Sequence, residues 1–304
     1  MRLHGSALLS SLRQIGLAAL LALVVAGVAS LLWGALLIAN ARTTPSVPWS
    51  VPAMALTLAV YWWYLSGHGW PKRTGPARAA LLRARRVSLQ VFAWSLVAGA
   101  LSLTALAGLW IVLVELTGNG GNPTIAMLNG YPAVFVALAI VMGSLVSPLS
   151  EEAAFRGYAQ VLLQRRFSAV VAVGISSVFF AAYHGPTQGF FWSKLLFFFA
   201  VGLVFGTIAY LTDSTLPAIP VHIAGDLLFF TLIWPRDASR PVVWAHGPDV
   251  TFWIEVVQAL AFGALAVWAF LRLRRANGNL FSYRVAQPGS DPESVGRTPG
   301  AAAR

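Results

Sequence analysis

The 304-residue chain contains no cysteine, and charged residues make up only 10% of it. Without cysteine there is no disulfide, no thiolate metal ligand, no thiol nucleophile and no site for S-acylation. A soluble domain carries about 25% charged residues, so this chain cannot cover a water-facing surface. At 58% hydrophobic it is also too apolar for a disordered polyelectrolyte. Acids are scarcer still, ten against 21 Lys and Arg, for a net charge of +11. The serine-nucleophile elbow Gly-x-Ser-x-Gly and the zinc signature His-Glu-x-x-His are both missing. No internal repeat is visible. What remains is a polytopic membrane protein, in which every acid inside an apolar run needs a reason, because a carboxylate in lipid is expensive.

A membrane-crossing helix needs about 20 mainly apolar residues. The chain offers about eight such stretches: 15–40, 48–66, 89–116, 131–149, 167–183, 190–211, 216–234 and 250–271. The first is read as an uncleaved anchor, because its apolar run outlasts a signal-peptide core. The basic residues fall in short runs between spans, which is a topology signal and argues against nucleic acid as a partner. Arg2, Arg13, the connector with Lys72, Arg73, Arg78, Arg83, Arg85 and Arg86, the pair Arg165-Arg166, and Arg272, Arg274 and Arg275 fall on one side. The other side holds Arg42, Lys194, Arg236 and Arg240. The expected fold is therefore an all-α polytopic transmembrane helical bundle with both termini cytoplasmic, in the cell membrane. Three parts are expected: N-terminal helices over 1–130, a core over 131–275, and a disordered basic tail over 276–304.

Three places break the apolar pattern. Ser150-Glu151-Glu152-Ala153-Ala154-Phe155-Arg156 follows the fourth stretch. Adjacent helical residues point about 100° apart, so Glu152 can pair with Arg156 at i+4 while Glu151 faces elsewhere. The plainer reading is a juxtamembrane cluster that ends the helix. Phe180-Ala181-Ala182-Tyr183-His184 closes the fifth stretch, where an interfacial histidine is the plain alternative. His222-Ile223-Ala224-Gly225-Asp226 lies inside the seventh, with His222 and Asp226 on one face; a polar contact between helices is the plain alternative there. Two glutamates, two histidines, an aspartate and an arginine on three helices can bind and activate a water and stabilise an oxyanion. With no paired serine or cysteine nucleophile, a glutamate-activated water, with or without a metal, is the simplest hydrolytic chemistry left.

Glu-Glu-x-x-x-Arg, then Phe-x-x-x-His, then His-x-x-x-Asp, in that order over about 143–234, resembles the CPBP family. These are the CAAX proteases and bacteriocin-processing enzymes, also called type II CAAX prenyl endopeptidases or Ras-converting enzyme-like intramembrane proteases. The resemblance implies an endopeptidase acting on a membrane-embedded peptide or a lipidated protein. It makes Glu151 the water-activating base and Glu152 its partner on Arg156. It makes His184 the group that shares the water or donates to the leaving group, and His222 and Asp226 the pair at the oxyanion. Phe180 falls at an aromatic packing position. Asp226 stands where the family has Asn or Asp, and an ionised Asp can orient His222 but cannot donate. The family is often labelled metalloprotease, and Glu151, His184, His222 and Asp226 are of suitable type for a divalent ion such as zinc; a metal-free site fits the same residues. The charge pattern opens the site toward the cytoplasm. Two other functions use the same residues: a proton-coupled transporter, since buried Glu, His and Asp also form proton relays, and a non-catalytic scaffold or immunity factor.

Overall fold

The computed structural model describes residues 2–237 and 240–286, with side chains described from residue 8 to 278 apart from 124 and 238–239. Among these residues all regular structure is helical. The elements are α1 (Arg2–Thr43), α2 (Ser50–Leu65), α3 (Gly75–Leu82), α4 (Leu89–Thr117), α5 (Ala133–Gln164), α6 (Ala169–Gln188), α7 (Trp192–Thr212), α8 (Ala218–Asp237) and α9 (Val250–Ala286). Seven of the nine are long and apolar enough to cross a membrane. The second stretch expected to span, α2, has 16 residues. At 1.5 Å per residue it covers about 24 Å, short of a hydrocarbon core of about 30 Å. The chain is thus an integral membrane protein by the length and composition of its helices.

Local signals explain the boundaries. Ser88 caps α4 by accepting from the Val91 N–H at 3.3 Å. Gly118, at φ +73°, ends the same helix, its N–H returning to the Val114 carbonyl at 2.7 Å. Helix α9 continues to Ala286, past the expected start of the tail at 276; residues 287–304 of that tail lie outside the described residues.

The most consequential difference from the sequence reading is α5. Its fourth apolar stretch was expected to stop at Leu149, leaving the glutamates at the inner membrane face. The helix instead runs on to Gln164, in a π-helical register over Glu152–Ala159. All eight residues of that segment are buried. They are polar in composition because they face protein, not because the helix has ended. Helix α8 carries a second π segment, Phe229–Ile233, directly after its own motif. Such segments concentrate at functional sites.

Helix α4 is the centre of the bundle: 61% of its apolar window is buried, against 11% for α9, which packs along it at the periphery. Helices α6 and α7 form an antiparallel pair, close enough that a Cβ on Gly202 would stand 2.9 Å from the Ser177 Cα. Helices α1, α4, α5, α6, α7 and α8 together enclose a cavity of about 700 Å³.

Candidate active site

The extended α5 brings the three motifs to one depth. Helix α5 descends toward the Arg165-Arg166 turn and α6 rises from it. Glu151 and His184 both stand roughly 20 Å from that turn at 1.5 Å per residue. A helix ending at Leu149 would have left them on opposite faces of the membrane.

Glu151 and Glu152 point in different directions. Glu151 lines the cavity. Its Oε1 accepts from the Ser147 hydroxyl at 2.8 Å, and its Oε2 is buried with no hydrogen-bond partner. That oxygen lies 3.9 Å from His184 Nε2 and 3.8 Å from His222 Nε2. Glu152 is fully buried and sits behind the wall. Its Oε1 accepts from His222 Nδ1 at 2.9 Å and lies 3.1 Å from Arg156 Nη1. Arg156 is equally buried, its guanidinium 4.2 Å from the Phe180 ring and 5.2 Å from that of Phe205. A cation between two ring faces and a carboxylate is held in place without water.

The hydrogen bonds assign the imidazole protons. His184 Nδ1 faces the Phe180 carbonyl at 2.8 Å, which can only accept, so Nδ1 carries the proton and Nε2 presents a lone pair to the cavity. His222 Nδ1 faces a carboxylate, which fixes the same tautomer. Both rings are clamped by stacking, His184 on Phe198 at 3.9 Å and His222 on Phe205 at 4.4 Å between centroids. Asp226 Oδ1 lies 3.6 Å from His222 Nε2. Phe180 contributes its carbonyl to His184 and its ring to Arg156, and is itself 1% exposed.

The structure therefore gathers all seven residues singled out by the motifs: Glu151, Glu152, Arg156, Phe180, His184, His222 and Asp226. They form two layers. Glu151, His184, His222 and Asp226 meet the cavity; Glu152 and Arg156 stand behind His222. Two contributors carried no motif. Ser147, one turn before Glu151, binds its Oε1; the Ser-x-x-x-Glu spacing was the signal available. Helix α1, outside every motif, walls the cavity with Leu23, Gly27 and Leu31.

No metal site is formed among the described residues. Among the described residues no group of three or more His, Asp or Glu is arranged to hold an ion. Ligand atoms on a tetrahedral zinc stand about 3.3 Å apart, from bonds of about 2.0–2.1 Å. Here the separations are 3.6–3.9 Å, wider than that spacing. The expectation of a metalloprotease has no support in this geometry.

Comparison with known proteins bears on one segment. No curated protein and no solved structure matches the chain. Residues 133–228 match the family described as type II CAAX prenyl endopeptidase Rce1-like. These residues comprise α5, α6, α7 and most of α8, the helices that carry all three motifs. Over this segment the chain is similar to the Rce1-like type II CAAX prenyl endopeptidases, which supports the resemblance to the CPBP family.

Proposed function

We propose that the chain is an intramembrane endopeptidase that hydrolyses peptide bonds of membrane-associated substrates with a water activated by Glu151. One observation carries the reading. Glu151 Oε2, buried and without a hydrogen-bond partner, faces a large cavity with two imidazole Nε2 atoms within 3.9 Å. A buried carboxylate oxygen left unpaired destabilises the fold, and its natural partner in a polar corner of a cavity is a water. That water donates one hydrogen to Glu151 Oε2 and the other to His184 Nε2. Glu151 takes the first proton as the water oxygen adds to the carbonyl carbon, and returns it to the departing amine.

His222 has a carboxylate near each ring nitrogen, Glu152 at Nδ1 and Asp226 by Nε2. When protonated it donates from Nε2 to the oxyanion of the tetrahedral intermediate. Glu152 and Arg156 act through His222 as positioning residues. Asp226 orients Nε2 and does not itself donate. The cavity is lined by Leu23, Leu31, Phe179, Phe197 and Phe230, which suits an apolar chain: a membrane-embedded peptide or a lipidated protein. In the same reading residues 131–275 form the catalytic core, and residues 1–130 supply supporting helices. The basic runs orient both termini toward the cytoplasm, in the cell membrane, and the cavity extends from Glu151 away from that face, toward Asn122, Gln188 and Trp234.

The test is cleavage of a fluorogenic, membrane-anchored peptide in vesicles by the purified protein and by Glu151→Ala. Loss of the general base lowers kcat by about 10²–10⁴-fold. Equal rates in the two proteins would sink the assignment.

A further inference from the structure

The π segment of α5 leaves a backbone problem, and its solution comes from outside the family-matched residues. At the end of the segment the Gln160 N–H bonds the carbonyls of Phe155 and Gly157. It bypasses the carbonyl of Arg156, which in an α-helix would be its acceptor. That carbonyl instead accepts from Arg83 Nη2 at 3.0 Å. Arg83 is the C-cap of α3, and only 4% exposed. Its Nη1 donates to Gln164 Oε1 at 3.1 Å and lies 3.7 Å from Asp213 Oδ1.

Three further observations show a built contact. Arg83 adopts φ +52°, a left-handed conformation that non-glycine residues seldom take. The loop is pinned from the other side, where the Thr215 N–H donates to the Arg83 carbonyl at 3.1 Å and the Thr215 hydroxyl to the Leu82 carbonyl at 3.1 Å. Gly157 lets α3 press directly on the π segment: a Cβ there would stand 2.8 Å from the Leu81 carbonyl oxygen. Burial lowers the Arg83 guanidinium to about 10, opposed by Asp213, which still leaves it a cation at neutral pH.

We propose that Arg83 is a positioning residue for the hydrolysis: it holds the carbonyl that the π register releases, and so fixes Glu152 and Arg156 behind His222. The proposal rests on the endopeptidase reading for its kinetic consequence only. A carbonyl left without a partner in a buried segment favours return to the α register. That return changes the angle between Arg156 and Glu152 around the helix axis and loosens the carboxylate that fixes the His222 tautomer.

The experiment compares full-length wild type, Arg83→Ala, Arg83→Lys and the neighbouring control Arg85→Ala. It uses a fluorogenic membrane-anchored peptide in phosphatidylcholine vesicles, with Tm and the imidazole ¹⁵N shifts of His222 read in parallel. Arg83→Ala is expected to lower kcat about 30-fold with KM within about twofold, and to move the His222 shifts away from the Nδ1–H tautomer. Arg83→Lys, which keeps one donor, is expected to recover most of the rate, and Arg85→Ala to match wild type. Wild-type kcat in Arg83→Ala, or a loss that tracks the unfolded fraction while the His222 shifts stay put, overturns the proposal. If Arg83→Ala does not fold, Gly157→Ala and Arg83→Lys decide: lowered kcat in Gly157→Ala with shifted His222 signals supports it, and unchanged signals in both overturn it. If wild type cleaves no peptide, the endopeptidase reading fails on its own, and the His222 shifts still decide whether Arg83 sets the site.

Discussion

Two buried polar clusters among the described residues differ in what their carboxylates leave unsatisfied. Around Glu151 the oxygens Glu151 Oε2, Glu152 Oε2 and Asp226 Oδ2 have no hydrogen-bond partner, nor do the terminal guanidinium nitrogens of Arg156. Around Asp237, also buried, both carboxylate oxygens are bonded: Oδ2 to Trp110 Nε1 at 2.6 Å and Oδ1 to the Gly121 N–H at 2.7 Å. Buried Lys194 donates to the Gly121 carbonyl at 3.1 Å. Nearby, Arg240 donates to Glu115 Oε1 at 2.8 Å. The second cluster ties the loop after α4 to α7 and α8, and both oxygens of its Asp237 carboxylate are used inside the protein. The first keeps acceptors in reserve and turns one of them to a cavity. Burial and charge are shared by the two clusters; on the proposed reading, what sets the first apart is a carboxylate oxygen left unpaired at a cavity.

The sharpest way to break this contrast is to neutralise one carboxylate in each cluster. Glu151→Gln should cost at least about 10²-fold in kcat while leaving Tm unchanged or raised, since it removes an unpaired buried charge. Asp237→Asn should leave kcat alone and cost about 2–4 kcal/mol of stability, because two buried donors and Lys194 lose an ionic partner. Denaturation of both variants beside peptide cleavage measures the pair; the two effects exchanged would refute the contrast. Next comes Ser147→Ala, which frees Glu151 Oε1: about tenfold in kcat is expected, with Ser147→Thr restoring most of it. Trp110→Phe should cost about 1–2 kcal/mol through the lost bond to Asp237 and leave cleavage intact. The smallest effect belongs to Arg85→Ala. Its pair with Asp213 is more than half exposed on both sides, so chemical denaturation should register below about 1 kcal/mol.

Most of the helices were legible because apolar runs of sufficient length have few alternatives in a chain so poor in charge. Where the reading failed, polarity was mistaken for exposure. The fourth stretch was expected to end at Leu149, with a juxtamembrane cluster as the plain alternative for Glu151 to Arg156, whereas the enclosing side chains of α1, α3, α6, α7 and α8 keep that segment inside. Lys194 and Arg240 were counted as outer-loop charges for topology, whereas Lys194 is buried against Trp110 and Arg240 pairs with Glu115. The motif residues were legible for the opposite reason: an acid or histidine within an apolar run is rare enough to stand out. Ser147 and Arg83 were not. A serine in a membrane helix is ordinary, and Arg83 was one of six basic residues in a connector whose sum, rather than whose members, carried the signal.

The depth of Glu151 sets a ruler. It lies roughly 20 Å above the Arg165-Arg166 turn, and an extended chain advances about 3.3 Å per residue. On the endopeptidase reading, a polypeptide instead enters past Asn122, Gln188 and Trp234, which line the cavity away from that turn, and must cross the cavity before its scissile bond meets the carboxylate. Length of reach, and not sequence alone, becomes a filter on what can be cut.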